Sequence, residues 1–218
     1  GNRMLQGYFR ESRLAAYRGA ALQEIDAALF DFGMSMGPYA VSDMAGLDVG
    51  YRARRAIPGL SQSEREDPVV DTLVEMGRLG QKTGRGFFRY EKGSRSPIPD
   101  PEVETMFRAA AERLGIARRP VDAEEIVSRC LCALVNEGAR ILEEGIALRA
   151  TDIDLVWING YGFPPYRGGP MFHAERLGLR VILDRVRAYH GESGLQHWKP
   201  SALLERLASE GKGFSTLP

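Results

Sequence analysis

The chain has 218 residues, 44% apolar and 27% charged, with 29 basic and 29 acidic side chains for a net charge of zero. That balance excludes a basic nucleic-acid binder and a polybasic membrane-surface module. It describes a soluble globular protein long enough for two domains of about 100 residues. The two cysteines, Cys130 and Cys132, lie two apart in helical sequence. They point in different directions there, so no disulfide is expected and a reducing compartment fits. No apolar run reaches the length of a bilayer span.

In chain order, residues 2–18 predict an amphipathic helix through Met4, Leu5, Tyr8, Phe9 and Ala15-Ala16, stopped by Gly19. A second helix covers 22–32. Pro38 opens a short one that ends near Gly46, and Asp48 is expected to cap the next, which stops before Pro58. Asp67-Pro68 starts a helix to about Gly77. Gly84 to Tyr90 alternates like a short extended stretch. Residues 91–101 hold three prolines, one glycine and two serines and read as a linker. Asp100-Pro101 starts a helix to about Leu114. The stripe Val127, Leu131, Leu134, Gly138, Ile141, Gly145 predicts a long helix over 123–148 with Asp122 and Glu125 at capping-box spacing. Thr151, Pro170 and Pro200 are expected to open further helices, with one more over 179–190. The fold class is all-α.

The chain is also one helical unit written twice, about 126 residues apart. Asn2-Arg3-Met4-Leu5 returns as Ser128-Arg129-Cys130-Leu131 and Glu11 as Glu137. Gly19 returns as Gly145, Ile25-Asp26 as Ile153-Asp154, Gly37-Pro38 as Gly169-Pro170, and Gly84-Arg85-Gly86-Phe87 as Gly211-Lys212-Gly213-Phe214. We therefore expect a first repeat over 1–91, a linker over 92–101 and a second repeat over 102–218. One copy keeps an amide, Asn2, where the other has Ser128.

Local chemistry is sparse. His173, His190 and His197 have no metal-ligand spacing and no adjacent nucleophile motif. His190 and His197 read as solvated, His173 as structural. Gly84-Arg85-Gly86 lacks the third glycine of a dinucleotide fingerprint, and Gly168-Gly169-Pro170 reads as a turn into a helix. Arg52, Arg54 and Arg55 read as a solvated helix face. Asn2 stands out because an amide supplies donors and an acceptor without titrating.

Asn2-Arg3-Met4-Leu5, Gly37 to Asp48, Gly84 to Tyr90, Val135-Asn136-Glu137, Gly160 to Pro165 and Arg167 to Pro170 together resemble the C-terminal domain of 3-hydroxyacyl-CoA dehydrogenases. The tandem copy resembles the multifunctional fatty-acid oxidation enzymes that fuse this activity to enoyl-CoA hydratase, a lyase. The resemblance implies two tandem copies of the helical domain (6-phosphogluconate dehydrogenase C-terminal-like). It also implies a piece of a longer enzyme that oxidises 3-hydroxyacyl-CoA to 3-ketoacyl-CoA in fatty-acid β-oxidation.

NAD would then be the cofactor of the full-length protein, held by a Rossmann domain that also carries the catalytic His and Glu; this chain itself would bind no cofactor and no metal. Asn2 takes the position of the family's substrate-positioning Asn. Asn159 stands where bacterial members have a substrate-binding Tyr. Further implied partners are the acyl-CoA substrate and a thiolase subunit, with the bacterial cytoplasm expected over the peroxisome. The alternative is a non-catalytic docking or oligomerisation module of such an enzyme.

Overall fold

The computed structural model describes residues 1–56, 59 and 66–217. The helices are α1 (Asn2–Arg18), α2 (Leu22–Phe32), α3 (Pro38–Ala45), α4 (Leu47–Ala56), α5 (Pro68–Glu75) and α6 (Pro101–Arg113). There follow α7 (Ala123–Glu143), α8 (Ala150–Gly160), α9 (Pro170–Leu177), α10 (Leu179–Ser193) and α11 (Ala202–Glu210). The only β pairing among the described residues is a set of isolated bridges, Gly80 with Arg85, Arg85 with Arg89, and Arg89 with Ile98. The all-α expectation holds.

Several boundaries differ from expectation. The long helix ends at Glu143, because Gly145 takes a left-handed φ of 68° and stops it short of 148. Asp48 lies inside the first turn of α4 and pairs with Lys82 rather than capping. Arg149, not Thr151, precedes α8, and its backbone N–H is bound by Asp152 at 3.0 Å. Ser201, not Pro200, caps α11 through a bond to the Leu204 N–H at 3.2 Å. The stop before Pro58 falls outside the described residues.

The chain forms two compact units. The first comprises Gly1–Arg13, Asp31–Ser35 and Glu124–Pro218; the second comprises Leu14–Phe30 and Met36–Ala123. Both α1 and α2 therefore contribute to each unit.

In the first unit the leading part of α1 packs against α7. Arg3 meets Glu137 at 2.6 Å, a Cβ on Gly7 would lie 3.5 Å from the Cβ of Ala133, and Arg129 meets Glu11 at 3.6 Å. The partner's number falls by four as α1's rises by four, so the helices run antiparallel and cross at Gly7 and Ala133. These residues are also repeat equivalents, 126 apart. Each helix thus presents the same residues to its own copy, which is the geometry of an isologous interface. Trp157, Phe163, Met171, Leu183 and Trp198 fill the rest of this core.

The second unit is built on a ring cluster. Tyr39 meets Phe87 edge-on at 4.8 Å between centroids, and Tyr17 lies 5.2 Å from Phe107. Residues 92–101 are tied back by the Arg89–Ile98 bridge. They end on Asp100, which is buried and accepts from Arg78 at 2.8 Å.

Glycine at the N-cap explains how α3 and α9 start. Neither Gly37 nor Gly169 has a side chain to cap its helix. Asp26 of α2 instead accepts from the backbone N–H of Tyr39 and Ala40, both at 2.9 Å. Asp154 of α8 does the same for Met171 and Phe172, at 2.7 and 3.1 Å. A Cβ at either glycine would run into that carboxylate. The recurrence of Gly-Pro and Ile-Asp is therefore one interaction made twice.

Candidate functional site

Asn2 is the first residue of α1 and is exposed. Its Oδ1 accepts a 2.8 Å hydrogen bond from the hydroxyl of Tyr161, which follows the last turn of α8. Tyr161 stacks on Trp157 at 4.8 Å and 30°, and its backbone N–H returns to the Trp157 carbonyl at 3.2 Å. Trp157 is fully buried, and its indole N–H donates to the sulfur of Met4 at 3.3 Å. Met4 lies half a turn along α1 from Asn2. The amide is thus held by a closed circuit of α1 and α8.

The turn beyond Tyr161 is fixed in turn. Gly162 takes φ 70° and accepts from Ser35 N–H at 3.0 Å, while the Ser35 Oγ occupies the space a Cβ there would need. Phe163 meets Phe32 edge-on at 5.8 Å, and the Arg167 guanidinium lies 4.2 Å over the Phe32 ring with Nε donating to the Phe32 carbonyl at 2.9 Å. The Gly-Tyr-Gly-Phe-Pro-Pro and Arg-Gly-Gly-Pro segments build this shelf.

Beside Asn2, Arg3 pairs with Glu137 and Glu144, and these carboxylates raise its already high pKa, Glu144 foremost. Its charge is neutralised locally. Asn159 is exposed and folds back on α8, with Nδ2 donating to the Leu155 carbonyl at 2.8 Å. The partner of the Asn2 amide is therefore Tyr161, two residues on. The signal for Tyr161 lay in the Gly160-Tyr161-Gly162 segment, but hydrogen-bonding to a residue 159 positions away has no periodicity to betray it.

Ser128, the counterpart of Asn2, sits in different surroundings. It is buried, with Oγ 2.8 Å from the Tyr189 hydroxyl and accepting from Arg185 at 3.1 Å.

The histidines divide. His173 packs against Phe32 at 5.3 Å, and burial foremost, with Arg167, lowers its pKa, so it is a neutral structural ring. His197 is not the solvated residue expected. Its Nε2 lies 3.1 Å from the buried carboxylate of Glu11, and its carbonyl accepts from Asn136 at 3.1 Å. That loop folds back onto α7, which a Gly-Glu-Ser-Gly composition does not reveal. His190 is half-buried.

Arg52 lies 3.4 Å from Asp48, Arg54 pairs with Asp71, and Arg55 lies 4.1 Å over the Tyr51 ring, so each has a protein partner. Gly84 takes φ 73° in a tight turn, and the space beside Gly86 is filled by the Asp43 carboxylate, which accepts from the N–H groups of Phe87 and Phe88 at 2.8 and 2.9 Å. A dinucleotide phosphate does not fit there. Among the described residues no group of three His, Cys, Asp or Glu is placed to hold a metal, and no helix is long and apolar enough to cross a membrane.

The profile of the 3-hydroxyacyl-CoA dehydrogenase C-terminal domain matches residues 1–90 and 126–214. The peroxisomal bifunctional enzyme of Danio rerio is 42% identical over 97% of this chain and 31% of its own length. The human enzyme of that name is 39% identical over the same shares. The dehydrogenase part of multifunctional enzyme 1 from C. elegans superposes with a TM-score of 0.75 at 28% identity, over 94% of this chain and 46% of that one. The chain thus spans about a third of the length of the curated relatives it matches. Those relatives, and plant ones such as the Arabidopsis thaliana protein AIM1 at 34% identity, are named as peroxisomal, which overturns the expectation of a bacterial cytoplasmic protein. By the two segments of that profile, the chain belongs to the 3-hydroxyacyl-CoA dehydrogenase C-terminal domain family.

Proposed function

We propose that this chain is the C-terminal part of a multifunctional β-oxidation enzyme that oxidises 3-hydroxyacyl-CoA to 3-ketoacyl-CoA, with NAD as the hydride acceptor in the full-length protein. A Rossmann domain, the catalytic His and its Glu, and an enoyl-CoA hydratase domain belong to that longer protein, and a thiolase partner takes the product. The contribution of this chain itself is positioning. The observation that carries this reading is the exposed Asn2 amide, fastened at Oδ1 by Tyr161 so that its N–H donors remain for a substrate oxygen.

In the full-length enzyme, Asn2→Ala should lower kcat/KM about a hundredfold at an unchanged melting temperature. Ser128→Ala, enclosed by Tyr189 and Arg185, should leave turnover intact. Full activity in Asn2→Ala would instead make the chain a docking module. Asn159 has no comparable support, because its amide folds back on its own helix, with Nδ2 donating to the Leu155 carbonyl.

The division into repeats over 1–91 and 102–218 with a linker at 92–101 gives the second copy a role as built-in partner of the first. The reciprocal pairs Arg3–Glu137 and Arg129–Glu11 around Gly7 and Ala133 support it. Removing 102–218 should leave a protein that self-associates or melts early; a monomer of unchanged stability would refute this.

A further inference from the structure

We propose that Tyr161 is a positioning residue for the reaction: the second repeat sets which way the first repeat's Asn2 amide faces. The inference rests on the reading of Asn2 as the substrate-positioning amide. An Asn side chain has two nearly isosteric orientations that exchange its acceptor and its donors. A phenol is a better donor than acceptor, its oxygen lone pair being drawn into the ring, so the Tyr161 hydroxyl favours the orientation that puts Oδ1 at 2.8 Å from it and turns the Nδ2 hydrogens to the opposite side. Two N–H donors on an exposed amide complement a hydroxyl or carbonyl oxygen, the group that a 3-hydroxyacyl thioester carries before and after oxidation.

Tyr161 is suited to this because it does not move freely. Its ring lies on the buried Trp157, its backbone is bonded to the Trp157 carbonyl, and the following Gly162 is pinned to Ser35. Gly1 leaves room for the hydroxyl, since a Cβ there would collide with the Tyr161 ring and oxygen. Trp157 bonds in turn to Met4, on the same helix as Asn2, so amide and hydroxyl share one support. Preorganisation of this kind spares the bound state the cost of ordering a free side chain. The second repeat would then do more than occupy a partner's place, because it supplies a side chain to the reacting side.

The test is steady-state kinetics of the full-length enzyme with a 3-hydroxyacyl-CoA and NAD, with melting temperatures alongside. Tyr161→Phe keeps the ring and the stack but loses the hydroxyl. It should lower kcat roughly tenfold, the worth of one hydrogen bond, with KM and melting temperature little changed. In an Asn2→Ala background the same change should cost nothing further. Asn2→Asp keeps an acceptor for Tyr161 but has no donor, and should lose as much as Asn2→Ala. Full kcat in Tyr161→Phe beside an impaired Asn2→Ala would overturn this inference and leave the Asn2 reading standing, whereas wild-type turnover in Asn2→Asp would overturn this inference together with the role given to the Asn2 N–H donors. An undiminished Tyr161→Phe loss in the Asn2→Ala background would also overturn it, because Tyr161 would then act without Asn2. An unimpaired Asn2→Ala would sink the underlying reading itself.

Discussion

The two repeats make the same joints with different surroundings. In each, an aspartate on the second helix binds the first N–H groups of a Gly-Pro helix, Asp26 at α3 and Asp154 at α9. In each, a carboxylate on that short helix also holds the closing Gly-x-Gly-Phe turn. Asp43 binds the N–H of Phe88 at 2.9 Å, and Glu175 binds the N–H of Ser215 at 2.9 Å. What has diverged is the Asn2/Ser128 position, the first residue of α1 but the sixth of α7. Asn2 is exposed beside Tyr161, whereas Ser128 is enclosed by Tyr189 and Arg185. Joints that hold the fold recur because each satisfies otherwise orphaned backbone groups. The position free of that duty is the one whose surroundings differ between the copies.

The largest expected effect tests the reciprocal ion pairs. Arg129 is 4% exposed and holds Glu125 at 2.8 Å and the buried Glu11, whereas Arg3 is 43% exposed. Arg129→Met should cost about 3–5 kcal/mol by leaving the buried Glu11 carboxylate without its guanidinium and with His197 alone beside it among the described residues, and Arg3→Met about 1 kcal/mol or less. Urea unfolding measures both, and equal losses would break the contrast.

A smaller difference separates the N-cap glycines. Both abut an aspartate, but Gly169 sits at φ 98° and Gly37 at φ −71°. Gly169→Ala should therefore lose about 2 kcal/mol more than Gly37→Ala, from left-handed strain alone.

The aspartates predict a pH dependence. Burial raises the Asp26 carboxyl from 3.8 to about 7 and Asp154 to about 6, against the lowering effect of the backbone N–H bonds. Between the unfolded and folded values the native state holds the extra proton, so this contribution to stability is present below about pH 4 and is lost as pH rises. Asp26→Asn should flatten the stability profile up to about pH 7, and Asp154→Asn only up to about pH 6, in urea midpoints across that range. A profile unaltered by both would remove the effect.

The smallest signal is from Cys130 and Cys132, present only in the second copy. Both are buried and unpaired, and burial raises both thiols, Cys132 to about 12. A thiol reagent should label neither until the protein unfolds.

Helix positions, the proline starts at Pro38, Pro68, Pro101 and Pro170, and the duplication are all legible in the sequence, because periodicity, capping and turn chemistry act over a few residues. So was the contrast between Asn2 and Ser128, whose surroundings differ in the structure. The partner of Asn2 was not legible, nor was the burial of His197 against Glu11, nor the Arg78–Asp100 pair at the end of a segment that reads as linker. Each of these depends on which distant segments the packed helices bring together. Sequence spacing alone determined the repeated all-α scaffold and its turns. Only the tertiary structure decided that Tyr161 faces the amide, because a hydrogen bond between residues 159 apart is fixed by how α8 lies against α1, not by any local pattern.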